Sequence, residues 1–229
     1  MHCVAIKARS HHVVPPRRLH PLQQDPLPAG LTKPAAIAAL QNHDQFLSAD
    51  PHLTSYKRLS APEASADYDS YHVPASIVPI PKADGGEKIR VYEVHDHVPN
   101  PVWSSDVTSV EEFVDCADGV WVRVRSPLGI VLETTWFVCE IDPKDKKNKN
   151  KDLPEGATLE LVQTCECRCN RLLATLCKGQ IDKGWPEVHE KIIKGMMGGG
   201  GSGDAGAIVT DAGGAAAGVA APATATVAA

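Results

Sequence analysis

Two histidines at alternate positions are the residues of this 229-residue chain best suited to acid–base chemistry. His95 and His97 flank Asp96, and imidazoles two residues apart on a strand share one face, where they could transfer protons or bind a metal ion. The same alternation is typical of a solvated sheet face. No accompanying motif identifies an enzyme class, because nucleophile elbows, Gly-rich phosphate loops and H-E-x-x-H are absent. The pair is therefore a candidate for catalysis beside the simpler interpretation.

A run of alternating cysteines is the second candidate for chemistry. Cys165, Cys167 and Cys169 could supply three thiolates to zinc. On a straight strand, however, the first and last of them lie about 13 Å apart, whereas Zn–S bonds are only ~2.3 Å long. We interpret all three as small buried hydrophobes and expect a chain that holds no metal and no cofactor. Seven cysteines without the spacing of a secreted scaffold indicate a reducing, cytoplasmic setting.

The hairpin from Gly119 to Glu140 determines which side chains face inward. Its turn, Ser126-Pro127-Leu128-Gly129, has proline where a type I turn fixes φ and glycine where the next residue turns left-handed. If Ser126 lies opposite Ile130, then Arg123 lies opposite Glu133 and the two meet in solvent. The opposite face is apolar apart from one threonine, and it comprises Val120, Val122, Val124, Leu132, Thr134 and Trp136.

Alternation predicts four further strands, at His52–Leu59, Ile89–Val98, Trp103–Cys116 and Thr158–Cys169. If the histidines of the second strand point outward, Tyr92 and Val94 point into the core. In the last strand, Leu161 and Gln163 share the inward face with the cysteines.

Two helices complete the pattern. The first begins with Thr32 as N-cap and must end before Asp50-Pro51, because a residue that precedes proline is pushed out of helical geometry. The second runs from Asn170 to Met197, and its apolar residues, including Leu176, recur at spacings of three and four, as on a helix that packs on a sheet. Pro186 should kink or break this helix.

The segments outside these elements define the domain organisation. Residues 27–197 form one domain, between a variable arm at 1–26 that has a possible first strand and a disordered Gly/Ala-rich tail at 198–229. Residues 60–86 form a long proline-rich loop, and a lysine-rich hairpin loop follows Glu140. A net charge of −5 gives no general attraction to nucleic acid, and no run approaches the ~18 apolar residues of a membrane span. The oligomeric state is left open.

An α+β fold follows: a curved antiparallel sheet of six or seven strands that grips a long C-terminal helix, with a short N-terminal helix. Particular motifs also carry a family resemblance: Leu27 to Thr32, His43, Ser126 to Gly129, Glu166 to Asn170, and His189. On these residues the chain resembles an uncharacterised fungal family of domains of unknown function within the START-like superfamily, which includes polyketide cyclases, Bet v 1 allergens and lipid-transfer domains. The resemblance covers Pro26 to Met197 and implies a helix-grip fold with a hydrophobic cavity between sheet and helix. It implies no known reaction.

We therefore expect a domain that binds a hydrophobic small molecule, lipid or polyketide-like, in that cavity. Its expected ligand-binding residues form a mostly apolar lining with a few convergent polar groups, and they are Tyr92, Asp106, Val122, Val124, Thr134, Trp136, Leu161, Gln163 and Leu176. Two alternatives stay open. One is a cyclase- or dehydratase-type enzyme that acts on an aromatic or polyketide substrate through His95, Tyr92 or Asp106, and the other is a non-catalytic scaffold with a filled core.

Overall fold

The computed structural model describes residues 23–60, 73–81, 89–98, 105–141, 153–171 and 173–198. The residues expected to form most of the N-terminal arm, the lysine-rich loop and the tail lie outside these ranges.

Seven strands form one antiparallel sheet in the order β1-β7-β6-β5-β4-β3-β2. Strands β2 to β7 are a meander, in which each strand pairs with the next along the chain, and β1 pairs with β7 at the edge. The strands are β1 (Gln23–Pro26), β2 (Leu53–Leu59), β3 (Arg90–Val98), β4 (Ser105–Cys116), β5 (Gly119–Ser126), β6 (Ile130–Glu140) and β7 (Leu159–Arg168).

The β5–β6 hairpin has the register expected from the sequence, with Ser126 opposite Ile130 and Arg123 opposite Glu133. Its three-residue loop differs in one respect, because Leu128 is left-handed (φ 62°) as well as Gly129 (φ 71°). The expectation that Arg123 lies in solvent is wrong. Its side chain is buried, with Nε 3.0 Å from Glu133 Oε1 and the guanidinium 5.0 Å from the ring centroid of Trp121.

The chain before β2 forms two short helices, α1 (Lys33–Leu40) and α2 (His43–Leu47), where one helix was expected. Thr32 caps α1 through its side chain. The break at Gln41-Asn42 has local causes: Asn42 Oδ1 accepts from the Gln45 backbone N–H and so starts a new helix. The side chain of Gln41 meanwhile donates to the carbonyls of Cys116 and Gly119. These bonds attach the junction between α1 and α2 to the turn between β4 and β5.

The C-terminal helix α3 (Ala174–Met197) starts four residues later than expected and continues through Pro186, so no break occurs there. Its second half lies over the inner face of the sheet, where Trp185 stacks on Trp136 with ring centroids 5.8 Å apart. On the other side of Trp136, Phe46 of α2 makes an edge-to-face contact at 5.2 Å. The main core thus lies between the inner face of the sheet and the three helices.

A smaller apolar cluster lies on the outer face of the sheet. Trp121 and Val114 are buried there beneath Ile77, which belongs to the loop before β3. This loop is fixed to β4 by a bridge between Pro79 and Cys116, and the Ile80 N–H donates to the Asp115 carbonyl at 2.9 Å. The sheet is therefore covered on both faces at this point.

Candidate functional site

Seven of the nine expected ligand-binding residues lie on the inner face and pack against one another in the core. They are Tyr92, Val122, Val124, Thr134, Trp136, Leu161 and Gln163. Their polar atoms also contact one another or their neighbours: the Trp136 indole N–H donates to Thr134 Oγ1 at 3.0 Å, and Gln163 Oε1 lies 2.9 Å from His189 Nε2. Their position is as expected, and their role in ligand binding remains a prediction.

The placement expected for Asp106 and Leu176 is wrong. The Asp106 side chain is 92% exposed and pairs with His97 at 2.9 Å on the outer face. The inward residues of β4 are the odd-numbered ones, because Ser109 and Glu111 lie opposite the inward Val94 and Tyr92. Leu176 is 44% exposed near the start of α3. His95 and His97 face outward, as the simpler interpretation holds, and His95 contacts Glu93 and Thr108.

A closed set of polar contacts joins α2 to the inner face of the sheet, and it defines the candidate site. His43, which is 3% exposed, lies with Nε2 2.9 Å from Asp115 Oδ1 and Nδ1 3.1 Å from the Tyr92 hydroxyl. The second carboxylate oxygen of Asp115 accepts from Arg90 at 2.9 Å. The Arg90 guanidinium also lies near the Tyr92 hydroxyl, where its charge acts to lower the pKa of that group. We call this set, Arg90, Asp115, His43 and Tyr92, the polar ring.

The directions of these hydrogen bonds follow from the groups that can only accept or only donate. The Asp115 carboxylate accepts, so His43 presents Nε2–H to it, and a neutral imidazole then has a free lone pair at Nδ1 for the Tyr92 hydroxyl. Burial raises the pKa of Tyr92, while the positive charges of Arg90 and Arg58 act in the opposite direction. Tyr92 is therefore a neutral phenol at neutral pH, and it donates its proton to His43 when the imidazole is neutral.

A cavity of about 350 Å³ opens beside the polar ring. Its walls are residues 41–44 at the junction of α1 and α2, together with Tyr56, Lys57 and Arg58 of β2 and Arg90 and Tyr92 of β3. Three of these residues are cations, and Asp44 is the one carboxylate among them. The Asp44 carboxylate accepts from the Tyr56 hydroxyl at 3.1 Å, and burial, followed by this carboxylate, raises the pKa of Tyr56 to about 12. The cavity is thus polar with an excess of positive charge.

Further buried polar groups lie on the same inner face. Burial raises the pKa of Glu111 to about 8 and that of Asp96 to about 7, with nearby carboxylates adding to both shifts. Asp96 Oδ1 and Ser109 Oγ are buried without a hydrogen-bond partner in the described part of the chain. Buried polar atoms usually have a partner, so this part of the inner face suits contact with water or with a polar ligand.

Sequence reasoning gave no chemical role to His43, Asp115 and Arg90. A signal existed for Asp115, because it occupies an inward, odd-numbered position of β4 opposite Val120, where an unpaired carboxylate would be costly. The identity of its partners depends on how α2 packs on the sheet, which no local pattern reveals.

The cysteines also differ from the expectation. The three-thiol group consists of Cys167, Cys169 and Cys177, whose sulfur atoms all lie within 4.8 Å of one another. Cys165 does not belong to it. The expected distance of about 13 Å concerned Cys165 and Cys169, whereas the observed group has Cys177 of α3 in place of Cys165.

No helix in the described ranges combines the length and the apolar character needed to span a membrane.

Three comparisons relate this chain to known proteins. A family model described as "Domain of unknown function (DUF7053)" matches residues 17–197. A search of the curated proteins finds no match. Among solved structures, the crystal structure of TTHA0849 from Thermus thermophilus is similar, at 13% sequence identity and a TM-score of 0.42, over 77% of this chain and 95% of that chain. Since the family model spans most of the sequence, the chain belongs to DUF7053, a family of domains of unknown function.

Proposed function

We propose that this domain binds a small organic acid with an aromatic or other apolar body, and that the cavity beside the polar ring takes its acidic group. The observation that carries the proposal is the lining of that cavity, where Arg58 and Arg90 both lie near the Tyr92 phenol. This proposal keeps the expected class of ligand, lipid or polyketide-like, within a START-like helix-grip domain. It moves the polar end of the ligand away from Gln163 and towards β2 and β3.

The electrostatics of the cavity favour an acid over a neutral ligand or a base. Guanidinium groups bind carboxylates through paired, charge-assisted hydrogen bonds. Arg58 is opposite Tyr92 in the register of β2 and β3, so both arginines border the same phenol ring. The volume of about 350 Å³ lies within the range of small-molecule sites, and the rings of Tyr56 and Tyr92 supply apolar surface.

The test is a binding titration with two probes, the aromatic sulfonate anilinonaphthalene sulfonate and a medium-chain fatty acid, followed by fluorescence and calorimetry. The wild type should bind each probe at one site per chain, with a negative heat-capacity change. Arg58→Gln should weaken binding about tenfold, because it removes one charge-assisted contact. Arg171→Gln is the matched control, since Arg171 is exposed at the start of the segment that leads into α3, and it should leave binding unchanged.

Equal binding by the wild type and Arg58→Gln would place the ligand elsewhere. If neither probe binds a folded chain, the binding proposal fails and the scaffold with a filled core takes its place. Melting temperatures of all variants must match, because anilinonaphthalene sulfonate also binds loosened proteins.

A second candidate function is acid–base catalysis on a bound carbonyl compound. The observation that favours it is the continuous series of hydrogen bonds from Tyr92 through His43 to Asp115. Through this series, Tyr92 could exchange a proton with a ligand while His43 keeps the phenol in position. The candidate catalytic residues of the enzyme-type alternative are therefore Tyr92, His43 and Asp115. His95 and Asp106 lie on the outer face. The test is deuterium exchange from solvent into the C–H bonds beside the carbonyl of a bound ligand, followed by NMR. This exchange should be lost in Tyr92→Phe if the proton passes through the phenol.

A further inference from the structure

Three thiols from different parts of the chain lie close together, those of Cys167, Cys169 and Cys177. Cys167 belongs to β7, Cys169 follows the end of that strand, and Cys177 lies near the start of α3. All three are partly buried, and their sulfur atoms lie within 4.8 Å of one another. The group is separate from the cavity beside the polar ring, which none of the three cysteines lines.

The size of this triangle suits a single metal ion. An equilateral triangle with sides of 4.8 Å has its centre about 2.8 Å from each corner, and a Zn–S bond is ~2.3 Å long. Each sulfur would therefore move by only about half an ångström, which a rotation about χ1 supplies. Three thiolates with no oxygen ligand favour soft metal ions over magnesium or calcium.

The position of Cys177 is a second, independent observation that suits a thiolate bound to a metal ion. It lies in the first turn of a 24-residue helix, and its own N–H bonds to the Leu173 carbonyl at 2.8 Å. The positive end of the helix dipole stabilises an anion there. No side chain caps this end of α3 by a hydrogen bond, so a thiolate would add favourable charge where the helix has none of its own.

We propose that Cys167, Cys169 and Cys177 form a three-thiolate site for one soft d10 metal ion, zinc or copper(I). Each thiol releases its proton when its sulfur binds the metal. Zinc would complete a tetrahedron with one water molecule, whereas copper(I) is satisfied by the three sulfurs. The site joins the end of β7 to the start of α3 and so fixes the position of the long helix on the sheet.

The test is a competition titration of the reduced full chain against a chromophoric chelator, without oxygen, with Zn²⁺ and with Cu⁺ in separate arms. The wild type should bind one ion per chain. Cys169→Ser and Cys177→Ser should each weaken binding at least about 100-fold, because a hydroxyl does not ionise to replace a thiolate. Cys139→Ser is the matched control, since Cys139 is also a half-buried free thiol but lies on β6 outside the group, and it should bind as the wild type does.

Binding of either ion with this pattern supports the site, and the two arms identify which ion it prefers. Cobalt(II) gives a second readout, because coordination by thiolates produces a charge-transfer band that Cys177→Ser should lose. The proposal is overturned if the reduced wild type binds neither ion, or if Cys177→Ser binds as tightly as the wild type. Circular dichroism of each variant establishes that it is folded.

Discussion

Arg90 is the residue on which the polar ring depends, because its guanidinium is the cation that pairs with the buried Asp115 carboxylate. Asp115 and His43 are nearly inaccessible to water, so the carboxylate needs both its partners to offset the loss of hydration. Removing Arg90 would leave a buried carboxylate without its cation and would destabilise the fold. A binding experiment on such a variant could not separate weaker binding from unfolding. Arg58, which is exposed, is the better residue for testing the cavity.

Gly119 is the position where a single methyl group should be most damaging. It has φ +154°, and a Cβ there would lie 2.0 Å from the Trp136 carbonyl oxygen of the neighbouring strand. Gly119→Ala must therefore push β5 and β6 apart, and we expect the free energy of unfolding to fall by about 2–4 kcal/mol in urea denaturation.

Gly129→Ala separates the clash from the backbone conformation. Gly129 is left-handed, but a Cβ there would have no neighbour within 4 Å, so the loss should be only about 1–2 kcal/mol. Equal losses at the two glycines would contradict the close approach of β5 to β6.

For most strand residues, the sequence predicts correctly which of them face inward, because side chains alternate between the two faces of a strand. Val122, Thr134 and Gln163 face inward as expected because their strands have an unbroken alternation and a defined turn. The site could not be read in the same way. His43 reaches Asp115 across 72 positions of the chain, and Cys177 of α3 meets Cys167 of β7 through the packing of two different elements.

At the scale of elements, the helices were harder to predict than the strands. The sequence predicts one continuous helix between Thr32 and Asp50, yet the chain breaks at Gln41-Asn42 because both side chains have other hydrogen-bond partners. The break turns His43 inward, where it is 3% exposed. A continuous helix would have optimised local hydrogen bonding, and the tertiary contacts of Gln41 and His43 outweigh it.

The α3 helix contains a proline whose removal should stabilise the protein. Pro186 lacks an N–H, so the Asp182 carbonyl has no partner within the helix, and the residue is exposed, so that little packing depends on it. We expect Pro186→Ala to raise the free energy of unfolding by about 1–3 kcal/mol in urea denaturation. Glu190→Ala, at an exposed position of the same helix, should change it by less than about 0.5 kcal/mol. A loss of stability in Pro186→Ala would mean that the proline is needed to hold Trp185 against Trp136.

At the scale of the whole molecule, two half-buried carboxyl groups on the inner face should make stability depend on pH. Burial raises the pKa of Asp96 from 3.8 to about 7 and that of Glu111 from 4.5 to about 8. Between these values the folded chain holds protons that the unfolded chain has released, so stability falls as the pH rises from about 4 to about 8. The domain should therefore melt at a higher temperature at pH 5 than at pH 8.

Glu111→Gln isolates this effect, because glutamine has a similar shape and does not ionise. The variant should lose part of the pH dependence and gain about 1 kcal/mol or more relative to the wild type at pH 8. Melting curves from pH 4.5 to pH 8.5 measure this difference, and Glu155→Gln at an exposed position is the control. Parallel curves for the wild type and Glu111→Gln would show that Glu111 is ionised in the folded chain.

The pairing of β1 with β7 also governs the timing of events during synthesis. Gln23 emerges from the ribosome among the first residues of the domain, yet its partner Gln163 follows 140 positions later. At about 5–20 residues per second this interval is about 7–28 s, far longer than the microseconds in which a hairpin such as β5–β6 forms. The meander from β2 to β7 can thus assemble strand by strand while β1 has no partner. Trp136 remains accessible until α3 has been synthesised. The nascent chain should therefore expose the apolar inner face of its sheet until the second half of α3 has been synthesised.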